Sequence, residues 1–191
     1  IVSSKLDFFF EQLGKLENIV LKNKLQNIQK PIFISGQARS GTTALVEALN
    51  KHEDTGSFIY RDLPFVKTLY FWNLINKIYF KGVKPKPRVH GDGLQVHPDS
   101  PDAIEEIIWK SFLSDYRNSG FYKILDDNYI NDSFKEYYIV QIKKILYLRG
   151  NKKRYLSKGN YNIFRLKYIK NIFPDAKMII CFREPIETAI S

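Results

Sequence analysis

The residues best placed to do chemistry are Gly36-Gln37-Ala38-Arg39-Ser40-Gly41-Thr42-Thr43. Two glycines separated by four residues, then two threonines, put several backbone N–H groups, two hydroxyls and one guanidinium into a single turn. That is anion-binding chemistry, because N–H groups and the positive end of the following helix both favour a phosphate or sulfate. The spacing is that of the nucleotide P-loop, GxxxxGK[ST], except that Thr42 replaces the lysine. That lysine reaches the β- and γ-phosphates of a triphosphate, so its loss argues against ordinary ATP or GTP hydrolysis. Arg39 restores a fixed charge, and its planar fork can grip two oxygens of one anion. On the glycine spacing alone, a capped βα turn with an exposed arginine is the better reading.

The flanking elements decide between the two readings. The run Pro31-Ile32-Phe33-Ile34 predicts a buried strand, and Leu45, Ala48 and Leu49 mark one face of a following helix. Two further cations follow predicted strands directly: Lys158 after 154–157, and Arg183 after 177–182. Ligands of open α/β sheets bind beyond the carboxyl ends of the strands. Three cationic groups in that position converge on one margin, and the expected fold is a three-layer, P-loop-like α/β domain with a mainly parallel sheet flanked by helices.

The string GQARSGTT resembles the 5′-phosphosulfate loop of sulfotransferases that use 3′-phosphoadenosine 5′-phosphosulfate (PAPS). The RSGTT branch, which includes tyrosylprotein sulfotransferases and many bacterial enzymes, is the most similar. A second signature of that family is a strand followed by an arginine and, eight residues later, a serine, which Arg183 and Ser191 match. The stretches YRDLPF (60–65) and HGDGLQVHPDSPDAIEEIIW (90–109) also look like segments of bacterial members.

The resemblance implies transfer of a sulfuryl group from PAPS to an acceptor hydroxyl or amine, leaving adenosine 3′,5′-bisphosphate, without a metal. It implies that Gln37, Ala38, Arg39, Ser40, Gly41, Thr42 and Thr43 hold the 5′-phosphosulfate, and that Arg183 and Ser191 hold the 3′-phosphate. Lys158 matches the lysine near the bridging oxygen, although Gly159-Asn160 follows where Asp-Pro is usual. Asp62 is the first choice for the base that takes the acceptor's proton, with an N-cap for a helix continuing through Tyr79 as the competing reading. His90 and Asp92, between glycines, are candidates for acceptor binding or a reserve base, or simply a turn. His90, His97 and Asp92 fit no zinc spacing. Two other functions stay open: a P-loop kinase or NTPase, and a non-enzymatic binder of polyanions.

The bulk numbers agree with an ordinary folded domain. With 44% hydrophobic and 15% aromatic residues in 191, a disordered chain is excluded. The net charge of +10 suits an anionic ligand, but the lysines are scattered rather than clustered, so no nucleic-acid partner is expected. One cysteine, Cys181, excludes an internal disulfide and is expected to be buried in a strand. No apolar run suffices for a transmembrane segment, and the expected location is the cytoplasm or a membrane periphery.

In order along the chain, residues 1–30 predict an amphipathic leading helix, with its pattern over 5–29, and 31–191 the sulfotransferase-like domain, apparently truncated at its C-terminus. Helices are expected over 101–116, capped by Asp99-Ser100-Pro101, over 134–148, capped by Asp132 or Ser133, and over 161–173. Glu105 and Glu106 fall in early turns of the first of these, and Lys143 and Lys144 on a solvated face of the second. Residues 81–98 read as an irregular surface loop.

Overall fold

The structure, a computed structural model, describes residues 4–88, 93, 95–113 and 123–190. His90, Asp92 and Ser191 lie outside the described residues.

The central sheet has four parallel strands in the order β2-β5-β1-β6, with β1 Ile32–Gly36, β2 Thr55–Gly56, β5 Arg154–Lys158 and β6 Lys177–Cys181. A two-stranded antiparallel hairpin, β3 Lys86–Pro87 with β4 Gln95–Val96, lies inside the stretch expected to be irregular. Helices α1 Ser4–Leu21, α2 Thr42–Leu49, α3 Leu69–Tyr79, α4 Glu106–Phe112, α5 Asp132–Leu148, α6 Leu166–Ile172 and α7 Pro185–Ile190 complete the chain. A parallel sheet needs cover on both faces, and alternation along β1 supplies it. Phe33 packs into the large core with Tyr138, Tyr155 and Phe173, while Ile32 and Ile34 join Val46 of α2 and Leu156. The fold is therefore the expected layered, mainly parallel α/β arrangement.

Several boundaries moved, each for a tertiary reason. α1 ends at Leu21 rather than near 29, because the segment that follows lies along the sheet's edge loop, where the Gln29 N–H donates to the Lys153 carbonyl at 2.9 Å. α4 begins at Glu106, since Pro101 pairs with Ile59 in an isolated β-bridge and the Asp102 N–H donates to the Phe58 carbonyl at 3.3 Å. The α5 cap is Asn131, whose Oδ1 accepts the Phe134 N–H at 2.9 Å. The helix expected over 161–173 is split at Arg165 into a 3-10 segment, Asn160–Phe164, and α6.

That split serves a buried polar network. Arg165 is fully buried, lies 4.0 Å over the Trp109 ring, and donates to Glu106 at 2.8 Å and to Asn162 Oδ1 at 2.7 Å. Glu105 accepts from Tyr138 at 3.0 Å, from Ser157 Oγ at 2.6 Å and from Tyr155. Glu105 and Glu106 are thus interior anchors rather than dipole-complementing surface charges. Burial raises the Glu106 carboxyl, with Arg165 opposing.

Lys144 departs furthest from expectation. Its side chain is buried and donates to Glu17 of α1 at 2.8 Å, while Glu17 also accepts the Phe71 N–H at 2.8 Å. An i, i+4 pattern cannot show that an opposite charge from a distant helix will cover a lysine. Lys143 does face outward, donating to Asn27 at 3.3 Å. Cys181 is half-buried and unpaired, with burial pushing its thiol up. Among the described residues, no helix is long and apolar enough to cross a membrane.

Candidate functional site

The loop after β1 is shaped by its neighbours. A Cβ at Gly36 would stand 2.4 Å from the Cys181 carbonyl and 2.6 Å from Ser40 Oγ, so only glycine lets the loop fold back over the strand ends. The loop braces itself through Gln37, whose carbonyl accepts Ser40 Oγ at 2.7 Å and the Ser40 N–H at 3.3 Å. Arg39 and Gly41 both take positive φ, 69° and 86°, and Gly41 caps α2. The first N–H groups of α2 have no acceptor within the helix and point into the space ahead of it.

The ends of β1 and β5 are stitched together. The Gly159 N–H and Asn162 Nδ2 both donate to the Ile34 carbonyl, at 3.0 and 3.2 Å, and Ser35 Oγ donates to the Asn160 carbonyl at 3.2 Å. Ser157 is fixed from below by Glu105 and also accepts Asn162 Nδ2 at 3.1 Å. The result is a rigid platform from which Lys158 emerges beside the loop.

A cavity of about 380 Å³ opens at this margin. Ala38, Arg39, Gly41, Thr42 and Thr43 line it from the loop, Lys158 and Asn160 from the end of β5, and Arg183 from just after β6. Gln37 is exposed beside it, and Ser40 Oγ is turned inward on the Gln37 carbonyl. Arg88, not among the residues expected from the sequence, lines the same cavity from the hairpin and donates to Thr43 Oγ1 at 3.3 Å. Its place in a Gly- and Pro-rich stretch gave no periodic signal. Arg39, Arg88, Lys158 and Arg183 make the cavity strongly cationic.

Asp102 meets two of these cations, Lys158 and Arg88. Its Oδ1 accepts Lys158 Nζ at 2.8 Å and the Ala103 N–H at 2.7 Å, and its Oδ2 accepts the Tyr60 hydroxyl and Arg88 Nη2, the latter at 3.4 Å. Burial works against ionisation of Asp102, but Lys158 and the hydrogen bonds outweigh it and hold the carboxyl below its ordinary range. The Tyr60 hydroxyl is pushed up to about 12, by burial and then by Asp102. In the sequence Asp102 follows Pro101 and reads as part of a helix start, which concealed it.

Asp62 is not at this cavity. It is 1% exposed, accepts the Ile59 N–H at 2.8 Å, and pairs with Arg149 Nη2 at 2.5 Å. Burial raises its carboxyl, with Arg149 opposing. It closes the short 3-10 turn Tyr60–Asp62 rather than capping α3, which starts later, at Leu69. Asp62, expected to face an acceptor, has its carboxylate enclosed by Arg149 and backbone. His97 also has a structural place. Its Nδ1 accepts the Asp99 N–H at 3.2 Å, which makes Nε2 the N–H that donates to the Val83 carbonyl at 3.0 Å.

Comparison with known proteins adds the following. Two solved structures resemble the chain: sulfotransferase STF1 of Mycobacterium tuberculosis H37Rv, at a TM-score of 0.52 and 16% identity over 98% of this chain and 56% of that one, and sulfotransferase STF9 of Mycobacterium avium, at 0.51 and 17% over 94% and 48%. At that identity the likeness is one of fold. An uncharacterized protein of Aquifex aeolicus (strain VF5) is 28% identical over 174 residues, 90% of this chain and 18% of that protein. The chain thus spans about half the length of the two solved chains and 18% of the Aquifex protein. The model of the sulfotransferase family matches residues 31–191, all of the sequence from β1 onward, and the chain belongs to that family.

Proposed function

We propose that this protein transfers a sulfuryl group from PAPS to an acceptor hydroxyl or amine, releasing adenosine 3′,5′-bisphosphate. The observation that carries the reading is a cationic cavity shared by the loop at Ala38–Thr43, Lys158 and Arg183 at the carboxyl ends of β5, β1 and β6. The N–H groups of 37–43, with Arg39, Thr42 and Thr43, bind the 5′-phosphosulfate. Arg183 binds the 3′-phosphate, with Ser191 as its partner from the sequence signature. The P-loop kinase alternative wants an acidic metal ligand after a later strand, where this chain has Phe182-Arg183.

In the proposed reaction the acceptor oxygen attacks sulfur in line, the S–O bond to the 5′-phosphate breaks, and the bridging oxygen leaves with the electron pair. Lys158 and Arg88 stabilise the charge that grows on that oxygen. Asp102, rather than Asp62, takes the acceptor's proton. While it is bound to Lys158 and Arg88 it is a weak base. Phosphosulfate oxygens compete for both cations, and once they turn away Asp102 becomes more basic where the acceptor arrives.

The test is thermal stabilisation of the full chain by adenosine 3′,5′-bisphosphate against ATP with magnesium, followed by transfer of radiolabelled sulfate from PAPS. Preference for the bisphosphate is expected. Preference for ATP with magnesium would assign the protein to the kinase-like alternative. Equal, steeply salt-dependent binding of every polyanion would make it a non-enzymatic binder.

A further inference from the structure

A second cavity, of about 400 Å³, adjoins the first and shares Arg88 with it as a common wall. Its inner end is Tyr60, whose hydroxyl rests on Asp102, the same carboxylate that holds Lys158. Apolar surface from Phe80, Val83, Pro87 and Val96 makes its sides. Lys84 and Lys86 stand at its exposed rim, and neither pairs with a carboxylate among the described residues.

The walls of this cavity are built. The Arg61 N–H donates to the Pro98 carbonyl at 2.8 Å, the Tyr60 N–H to the Ser100 carbonyl at 3.2 Å, and Arg61 pairs with Asp99 at 2.8 Å. His97 ties the hairpin's outgoing strand to Val83, at the near end of the same wall. No Asp or Glu is among the described residues lining the cavity. Two carboxylates adjoin it, each matched by cations: Asp102, behind Tyr60 and Arg88, by Lys158 and Arg88, and Asp99, beside His97 and Pro98, by Arg61.

We infer that this cavity takes the acceptor, and that the acceptor is a small amphipathic hydroxy compound carrying a negative charge away from the hydroxyl. The inference rests on the sulfotransfer reading above and names its second substrate class. The hydroxyl enters past Tyr60 and Arg88 toward Asp102, a ring-sized apolar body lies against Phe80, Pro87 and Val96, and a carboxylate or phosphate meets Lys84 and Lys86 at the rim. A neutral or cationic compound of the same shape gains the apolar contact and loses the rim pairing. Because the rim is exposed, the discrimination weakens with salt over a Debye length of about 8–10 Å at physiological ionic strength.

The test is ligand-observed NMR binding to the full chain, saturated with adenosine 3′,5′-bisphosphate, of four matched probes: 4-hydroxyphenylacetate, its amide, tyramine and 4-hydroxyphenyl phosphate. The two anions are expected to bind on the order of tenfold more tightly than the amide, with tyramine weakest, the gap expected for charge-assisted contacts. The anion preference should vanish in K84E/K86E and shrink at high salt, and comparison of carboxylate with phosphate identifies the favoured charged group. K84E/K86E should retain bisphosphate stabilisation, which shows that it is folded. Equal binding of anion and amide, no anion binding at all, or an unaltered preference in K84E/K86E overturns this inference alone. Failure of the bisphosphate to stabilise the wild-type chain overturns instead the reading on which it rests.

Discussion

Lys158 Nζ lies 2.8 Å from Asp102 Oδ1, joining a strand-end cation that lines the cationic cavity to a carboxylate 56 positions away in sequence. If Asp102 is the proton acceptor, its two duties pull in opposite directions. It restrains the cations in the free protein and serves the acceptor once they are drawn to the donor. Asp102→Asn should lower kcat by about 10²–10⁴-fold, the usual contribution of general base catalysis. Affinity for adenosine 3′,5′-bisphosphate should hold or rise, because a competing carboxylate charge is gone. Calorimetric titration with the bisphosphate alongside steady-state kinetics measures both, and undiminished turnover in the variant would remove Asp102 from the reaction.

The same carboxylate makes a prediction about acid stability. Its pKa is depressed in the folded protein, so it contributes stability at pH values above its unfolded value near 3.8, and that contribution is lost as pH falls through the lower folded value. The difference in Tm between wild type and Asp102→Asn should be full at pH 6 and narrow steadily below about pH 4, where the unfolded chain begins to take up the proton. Thermal scans across that range check it. A constant difference would mean the variant is destabilised by something other than the lost charge.

Asp62 provides the contrasting experiment. Asp62→Asn keeps an acceptor for the Ile59 N–H but leaves the Arg149 guanidinium without its anion. Breaking a buried pair costs about 3–5 kcal/mol, and Asn should bring this toward the lower end. Turnover per folded molecule should be unchanged, since the side chain is buried and lines neither cavity. Denaturant unfolding together with kinetics separates the outcomes: lost turnover at wild-type stability would return Asp62 to the role of base.

Arg88 tests the part of the site that the sequence concealed. It bridges Thr43 and Asp102 from the hairpin, and Arg88→Ala should cost about 2–4 kcal/mol of transition-state stabilisation if it stabilises the departing oxygen. Arg88→Lys should recover only part, because an ammonium cannot repeat the fork that reaches both groups. Loss confined to acceptor KM, with kcat intact, would restrict Arg88 to the wall between the cavities.

What was legible in the sequence was local. β1 and β6 carry continuous apolar runs and β5 a short one, each ending in a loop, and strand, glycine turn and helix at 31–49 form a pattern that neighbours in sequence determine among themselves. Their register follows, and with it the convergence of Arg39, Lys158 and Arg183. Arg88 and Asp102 were not legible because their positions depend on pairings between segments distant in sequence, such as Ile59 with Pro101. The buried role of Glu105 and Glu106 was hidden for a related reason. A carboxylate near a helix start satisfies the dipole rule equally well whether it faces water or, as here, a buried arginine and two tyrosines.

Lys144 extends that argument to stability. Its ammonium and the Glu17 carboxylate form a fully enclosed pair that fastens α1 to α5, and Glu17 also holds the Phe71 N–H at the start of α3. Burial depresses the Lys144 pKa and Glu17 restores part of the loss, so each charge is tolerated only in the other's presence. Lys144→Met alone should therefore destabilise by about 3–5 kcal/mol, leaving an unpaired carboxylate in the interior. Adding Glu17→Gln removes that charge while keeping an acceptor for Phe71, and the double variant should recover about 1–3 kcal/mol of coupling. Urea unfolding of the two single variants and the double variant closes the cycle. Simple additivity would mean that α1 is held by its apolar contacts and that the ion pair adds nothing to its docking.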